Sequence, residues 1–441
     1  MARVSEETID YTHISDLVVI LFCGYVISWY LQIGERISFL GALRFEFFYA
    51  MILAGIAIFS MGSSTLSNPL NKYALLLLLC MVIQIPFSYD VNLSWAVFVN
   101  RVLKFSIMAL FIVVFIRCPR HLVFFFFAFF LACLKMGQEG FLGKITGSMM
   151  WENQGVMRLH GSTSLYSHPN SFAGMALGTL PFIYYFFPIA PRWIKAAFMI
   201  MLGFALNIIL FTGSRTGYVA VIVFAILIFL RSKAKTKILL YSILIIIISI
   251  PMIPNNYLER FQSIFTMQEK EGRSAETRIQ ILEDATKIFI THPLGVGVAA
   301  FPEVRRMTFG RSQDTHNLYL EVATNLGIQG FIIFMVFIYS MLKMLKRTTQ
   351  ESEEQLSKIE DTVGIPARSE KIITHVSDLR LINAAGSALF MFIIIRLALG
   401  MFGMDLYEIY WWFALGLTIA LYNINSVAMK KTERYLQSNE L

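Results

Sequence analysis

Runs of about 20 apolar residues, separated by short polar turns, follow one another along almost the whole chain. Each is long enough for a helix to cross a hydrocarbon layer of ~30 Å. They fall near 16–33, 45–62, 72–88, 95–116, 120–136, 168–187, 193–211, 215–231, 237–253, 316–343, 380–400 and 407–428, about twelve spans. None shows the strict apolar–polar alternation of a membrane β-strand. Inside lipid the backbone must satisfy its own hydrogen bonds, so segments this apolar on every side are helices. The pattern predicts an all-α polytopic membrane protein, one transmembrane domain over 1–441.

Three polar stretches interrupt the pattern. The first is 137–167. The second, 254–315, is the longest; within it Ile279, Leu282, Ala285 and Phe289 recur at helical spacing between Glu276 and Ile290. Pro293 ends that helix, and Gly295 and Gly297 make a turn. Such a helix lies over the mouth of the bundle or against the membrane surface. The third stretch, 346–379, mixes charges with Ser, Thr, Gly and Pro and reads as a mobile loop. No internal repeat of the inverted-transporter kind is present.

Composition agrees. The 441 residues are 56% hydrophobic and 15% charged, with a mean hydropathy of +0.63; soluble domains are nearer 45–50% and ~25%. A formal net charge of +8 might suggest nucleic acid, but the cations gather in short loops between spans, so no nucleic-acid partner is expected. One alternating set of loops carries nine lysines and arginines (among them Lys72, Arg117, Arg192 and Arg231), the other five (Arg36, Arg44, Lys144, Arg158 and Arg215). By the positive-inside rule the richer set is cytoplasmic. Both termini then lie inside, 346–379 is a cytoplasmic loop, and 137–167 and 254–315 are outside. The first apolar run lacks a small-residue cleavage site after it and reads as a retained helix. Cys23, Cys80, Cys118 and Cys133 lie in or beside apolar runs with no pairing or metal spacing. No metal and no cofactor are implied.

The candidate chemistry collects on the outer face. His316 and Asn317 open the tenth span, where an imidazole can take or return a proton near neutral pH. Phe211-Thr-Gly-Ser-Arg-Thr-Gly217 is a tight turn that presents Ser214 and Arg215 at the water boundary, and Arg278 heads the surface helix. A guanidinium offers a planar fork of donors suited to phosphate oxygens. Two arginines and a histidine on one face suit a lipid pyrophosphate, held and neutralised as it leaves. Each also fits a structural role: Arg215 as an interfacial anchor, Arg278 as the partner of Glu276 or Asp284, His316 as a helix-start residue. Arg101, Lys104 and Arg396 fall in the outer halves of their spans, at the depth of a lipid diphosphate head. Intramembrane cations usually face a polar cavity or a partner, the alternative being snorkelling to the interface.

Taken in order, Thr-Gly-Ser-Arg-Thr-Gly, Glu276-Thr-Arg-Ile, Thr291-His-Pro-Leu-Gly-Val-Gly and His316-Asn-Leu-Tyr-Leu-Glu…Leu-Gly-Ile-Gln-Gly330 resemble the O-antigen ligase and polymerase superfamily of bacterial membrane glycosyltransferases. The motifs cover about 168–335. The resemblance implies transfer of a glycan from undecaprenyl pyrophosphate to an acceptor on the outer face of the inner membrane, without a metal. It matches Arg215 and Arg278 to the family's pyrophosphate-contacting arginines and His316 to its essential histidine. Ser167-His-Pro-Asn-Ser171 is similar to a family site that often reads Asp-Pro-Asn; His168 stands here in place of the acid. The expected reaction is inverting: an acceptor hydroxyl, deprotonated or oriented by His316, displaces pyrophosphate from the anomeric carbon. The partners are then the lipid-linked donor, a glycan or lipid A-core acceptor, and membrane lipids. Ligase, repeat-unit polymerase and protein glycosylation stay open. The rival from another class, a transporter or flippase of lipid-linked sugars, predicts mid-membrane acids or broken helices and a repeated topology.

Overall fold

The computed structural model describes residues 14–62, 67–153, 156–232, 274–363 and 370–437, with isolated positions between 234 and 262. In chain order the main helices are α1 (Asp16–Leu31), α2 (Phe45–Ser60), α3 (Leu70–Gln84), α4 (Val91–Phe115), α5 (Pro119–Thr146), α6 (Pro169–Phe186), α7 (Arg192–Phe211), α8 (Arg215–Arg231), α9 (Ser274–Thr291), α10 (Phe301–Phe309), α11 (Leu318–Val363), α12 (Glu370–Gly400) and α13 (Ile409–Gln437). Between α5 and α6 a hairpin pairs β1 (Met150–Asn153) with β2 (Val156–Leu159), Trp151 opposite Arg158. Among the described residues α4, α5, α7, α11, α12 and α13 are long and apolar enough to cross a membrane. Shorter apolar helices are α1, α2 and α3. The described residues are thus mainly helical, with six helices able by length and composition to cross a membrane. The expected span 237–253 lies almost wholly outside the described residues.

Helix starts follow the sequence. Pro119 and Pro169 stand in the first turns of α5 and α6, where no amide is needed. Ser214 caps α8, its Oγ accepting from Gly217 N at 3.1 Å. The core is aromatic: Phe126 of α5 meets Phe186 of α6 at 4.7 Å between centroids, and Phe129, Phe182, Phe392 and Phe413 extend the cluster to α12 and α13. In lipid such packing substitutes for a hydrophobic driving force, and small residues set the closest approaches. Gly416 of α13 is one: a Cβ there would lie 2.9 Å from the Ala109 carbonyl of α4.

The stretch 346–379 is not the irregular loop its composition suggests. Residues 346–363 continue α11 and residues 370–379 begin α12, leaving only a short connection outside the described residues. Their polar side chains face one another and the end of α13. His375 bonds Thr432 at 2.8 Å, Asn425 donates to Glu351 at 2.9 Å, and Thr348 and Ser352 are buried. Helices bury polar faces where water is excluded by neighbours, and reading the mixed composition as a loop missed that pairing.

A break in α11 ties the two longest motifs together. Gly327 has φ 71° and ψ −173°, a conformation open essentially to glycine alone. There the chain of α11 opens to receive the turn after α9. Val296 N donates to Thr324 O at 2.9 Å, Gly297 N to Asn325 O at 3.0 Å, and Ile328 N to Pro293 O at 2.9 Å. A Cβ on Gly327 would lie 2.3 Å from the Leu294 carbonyl carbon. The Pro-Leu-Gly-Val-Gly and Leu-Gly-Ile-Gln-Gly motifs are two halves of one joint. Gly327→Ala should destabilise the protein by about 1–3 kcal/mol through strain alone, with the clash added. Gly203→Ala, whose Cβ meets nothing within 4 Å, should not. Thermal unfolding in detergent checks this; equal midpoints for the two variants would remove the joint as a structural element.

Candidate functional site

The segments that the charge count places outside meet on one face of the bundle. Arg36, after α1, pairs with Glu139 of α5 at 2.7 Å. Tyr89 bonds His292 at 2.8 Å, and Ala299 N donates to Tyr407 Oη at 3.0 Å. On that face the motif residues come together.

His316 sits at the start of α11 with φ 46°, left-handed for a residue that is not glycine. Such backbone costs energy and persists only where its surroundings dictate it. Those surroundings are visible. Thr315 N donates to Asp314 Oδ1 at 2.7 Å; Asn317 caps α11 by accepting from Leu320 N at 3.0 Å; its Nδ2 donates to Met401 O at 3.1 Å. Asn317 therefore spends its amide on fixing the turn. Ser214 is likewise a cap, with Oγ on its own helix. Both position a neighbour, His316 in one case and Arg215 in the other.

Burial lowers the His316 pKa; Arg278 adds to this, Asp314 opposes it, and Arg305 adds a little more. The ring is thus neutral near pH 7, with a nitrogen lone pair free to accept a proton. Burial raises the pKa of Asp314, against the Thr315 amide and the charges of His316 and Arg101. Arg278 and Arg101 both act on the His316 turn, as the sequence suggested for Arg278.

Of the two carboxylates expected as partners for Arg278, Glu276 and Asp284, the second is engaged by other arginines. Asp284 of α9 accepts from Arg305 Nε at 3.0 Å and from Arg311 at 3.3 Å. Arg305 is fully buried and also donates to Gln313 Oε1 at 2.7 Å. This clamp joins α9, α10 and the 310–315 segment, and so ties the helix that bears Arg278 to the segment that leads into His316. Its only local sign is an arginine inside Phe-Pro-Glu-Val-Arg-Arg.

Arg158 is the other residue sequence reading passed over, counted there as an ordinary loop cation. It is buried on β2, with Nε donating to Thr212 O at 2.8 Å and Nη2 to Asn170 Oδ1 at 2.8 Å. It locks the Thr-Gly-Ser-Arg turn to the His-Pro-Asn helix start. The available signal was a charged residue within the apolar Val-Met-Arg-Leu. His168, two residues before Asn170, has its pKa lowered by burial, then Arg158, then His316. The site is thus one cluster of turns: Ser214–Arg215, His168–Asn170, Asp314–Asn317 and the start of α9.

The remaining expected cations have partners of their own. Arg101 pairs with Glu408 at 3.0 Å, on a π-helical stretch of α4, Phe98–Leu103. Lys104 contacts Asn100 at 3.2 Å and is exposed. Arg396 is buried in the bundle, its guanidinium 3.3 Å above the Tyr410 ring and donating to Gly174 O at 2.8 Å. Gly174 and Gly178 leave the room it occupies.

The family model described as O-antigen ligase matches residues 175–335. That stretch is similar to the O-antigen ligase family. It holds Arg215, Arg278 and His316, together with the Gly327 joint and the Asp284–Arg305 clamp. The family implies glycosyltransferase-type ligase or polymerase activity on glycan and lipid-linked substrates. His168, Arg158, Arg101 and Arg396 lie outside the matched stretch. No curated protein matches the chain.

Proposed function

We propose that this protein transfers a glycan from undecaprenyl pyrophosphate to an acceptor hydroxyl at the outer face of the inner membrane, with inversion and without a metal. The observation that carries the reading is the half-buried His316, its pKa held below the ordinary value, in a left-handed turn under the field of Arg278. His316 takes the acceptor proton as the hydroxyl attacks the anomeric carbon. Arg278 and Arg215 neutralise the pyrophosphate as its bond to the sugar breaks. Arg101, Lys104 and Arg396 supply further positive charge along the lipid path, and Asn317 and Ser214 hold their neighbours in place. The rival reading, a transporter of lipid-linked sugars, expects broken helices, and Gly327 does break α11; the proton acceptor His316 beside Arg278 favours the enzyme.

The test is transfer in proteoliposomes with an undecaprenyl-pyrophosphate glycan and candidate acceptors. Core-lipid acceptor consumption marks a ligase, and lengthening of the donor glycan marks a polymerase. Flux of intact donor between leaflets, without new glycosidic bonds, would replace the enzyme reading by the transporter. Cysteine labelling in intact cells should reach 145–165 and 274–310, while positions near 233 and 355 should label only after membranes are opened. The reverse pattern would place the site in the cytoplasm.

A further inference from the structure

We infer that the groove between α5, α7 and the paired ends of α11 and α12 holds one anionic phospholipid, its acyl chains along α5 and its phosphate against Arg380. This rests on the membrane placement of these helices and not on the reaction proposed above. The cavity measures about 1030 Å³, at the upper end of the ~300–1,000 Å³ of small-molecule sites. Val123, Phe127 and Leu134 line it from α5, and Ile194, Ala197 and Met201 from α7. Ile359, Ile373 and Leu381 of the α11–α12 pair form the facing wall. Among the described residues nothing fills the space, and Phe127 and Trp193 stay largely exposed in it.

The groove has the depth of one leaflet. From Val123 to Leu134 the axis of α5 advances ~16 Å, and half of a ~30 Å hydrocarbon layer is ~15 Å. Its rim lies at the start of α7, where Arg192 and Lys195 flank Trp193 and Ile194. α7 is 20 residues long and ends beside the turn that presents Arg215. At ~1.5 Å per residue its two ends stand ~30 Å apart. A lipid headed at this rim belongs to the leaflet opposite the His316 face. That sets it apart from a donor whose diphosphate is held at Arg215.

The charge on the rim selects the head group. Arg380 lines the groove and is half exposed, in a 3.4 Å contact with Glu360. An exposed pair of this kind is weak and yields to a better-placed anion. Lys195 Nζ stands 5.6 Å from the centre of the Phe187 ring, beside the 188–191 turn that lines the groove. Arg192 is exposed next to Trp193. Glu360 is the acid among the lining residues. Lys358 and Asp361 beside it offset each other in formal charge, Arg120 is matched by Asp16, and Asp378 by Lys431 of α13. The rim is left with an excess of positive charge above an apolar slot. Basic pockets between membrane helices bind anionic head groups, because seated acyl chains bring the phosphate to the cations. A second copy of this chain would instead set the same cations against one another.

The test titrates the full chain, purified in detergent and stripped of lipid, with dioleoyl phosphatidylglycerol and dioleoyl phosphatidylethanolamine. Native mass spectrometry reads the bound lipid. One phosphatidylglycerol should bind roughly 10-fold more tightly than phosphatidylethanolamine. Arg380→Gln and Lys195→Gln should each weaken phosphatidylglycerol roughly 5-fold and leave phosphatidylethanolamine unchanged. Ala197→Trp fills the slot and should abolish the tight site, whereas Ala196→Trp, on the exposed side of the same turn, should keep it. Phosphatidylglycerol should likewise raise the unfolding midpoint of the wild type and Ala196→Trp, but not that of Ala197→Trp. Equal affinity for the two lipids would reduce the groove to ordinary lipid-facing surface and overturn the proposal. Full affinity in both Gln variants would do the same, as would a tight site that survives in Ala197→Trp. A dimer whose formation expels the lipid would assign the groove to a second copy and also overturn it. Should Ala197→Trp fail to fold, the two Gln variants, altered only at the rim, decide the matter.

Discussion

His316→Ala is expected to reduce glycan transfer by ~10²–10⁴-fold while leaving affinity for the lipid-linked donor nearly unchanged. That is about 3–5 kcal/mol of barrier, lost only at the reacting centre. An acceptor hydroxyl attacks poorly until its proton is drawn off, and in the proposed reaction His316 is the base that draws it, in a turn fixed by Asp314, Thr315 and Asn317. The backbone angle of 46° adds a second reason, since alanine tolerates that region poorly and frees the turn. His316→Gln separates the two. It keeps a hydrogen-bonding side chain but cannot hold a proton, so it should be nearly as slow as alanine. Near-wild-type turnover in the Gln variant would mean that His316 orients the acceptor without taking its proton. Lost donor binding in the Ala variant would instead place it among the diphosphate ligands.

The same residue sets a pH limb with a predictable response. Burial and Arg278 hold the His316 pKa below its ordinary value, so the base is present at neutral pH and is lost as pH falls through that lowered pKa. Arg278→Gln removes a cation that opposes protonation and should move the acid limb of kcat upward. Asp314→Asn removes a favourable partner and should move it downward. Single-turnover rates over pH 5–8 read both shifts. An acid limb unmoved in either variant would detach these groups from the base.

The sequence made the helices legible because lipid allows few alternatives, and it brought out Arg215, Arg278 and His316 because each stands at the start of a predicted helix. What it concealed depends on pairing across the fold. Arg158 reads as one more loop cation until Thr212 and Asn170 are found around it. Arg305 looks solvated in Phe-Pro-Glu-Val-Arg-Arg until Asp284, twenty-one positions away, is seen to claim it. The second half of α11 was misread for the same reason. Its charged, Ser- and Thr-bearing composition resembles a loop, yet Thr348, Ser352, His375 and Thr432 fill a three-helix contact. Glycines were legible as turns but not as a joint: nothing local in Leu-Gly-Ile-Gln-Gly says that Gly327 breaks a helix to admit Leu294.

Arg278→Lys and Arg215→Lys should each lose transfer by roughly 10–100-fold although neither changes the formal charge. A guanidinium grips two phosphate oxygens in one plane, whereas an ammonium offers a point charge on a looser stem. Arg215 has the additional advantage of standing at the first position of α8, where the helix dipole and the turn amides favour an anion. The loss should therefore appear in both donor affinity and kcat, because the pyrophosphate is bound in the ground state and gains charge as it leaves. For Arg278 the pH profile offers an independent check. Lysine keeps the positive charge near His316, so the acid limb should stay where it is in the wild type even as the rate falls. Loss of rate with an unmoved limb is the signature of lost phosphate geometry. A fully active Arg215→Lys, Arg278→Lys double variant would remove pyrophosphate recognition from these two residues and turn the search to Arg158 and Arg101, whose charges act on His168 and Asp314.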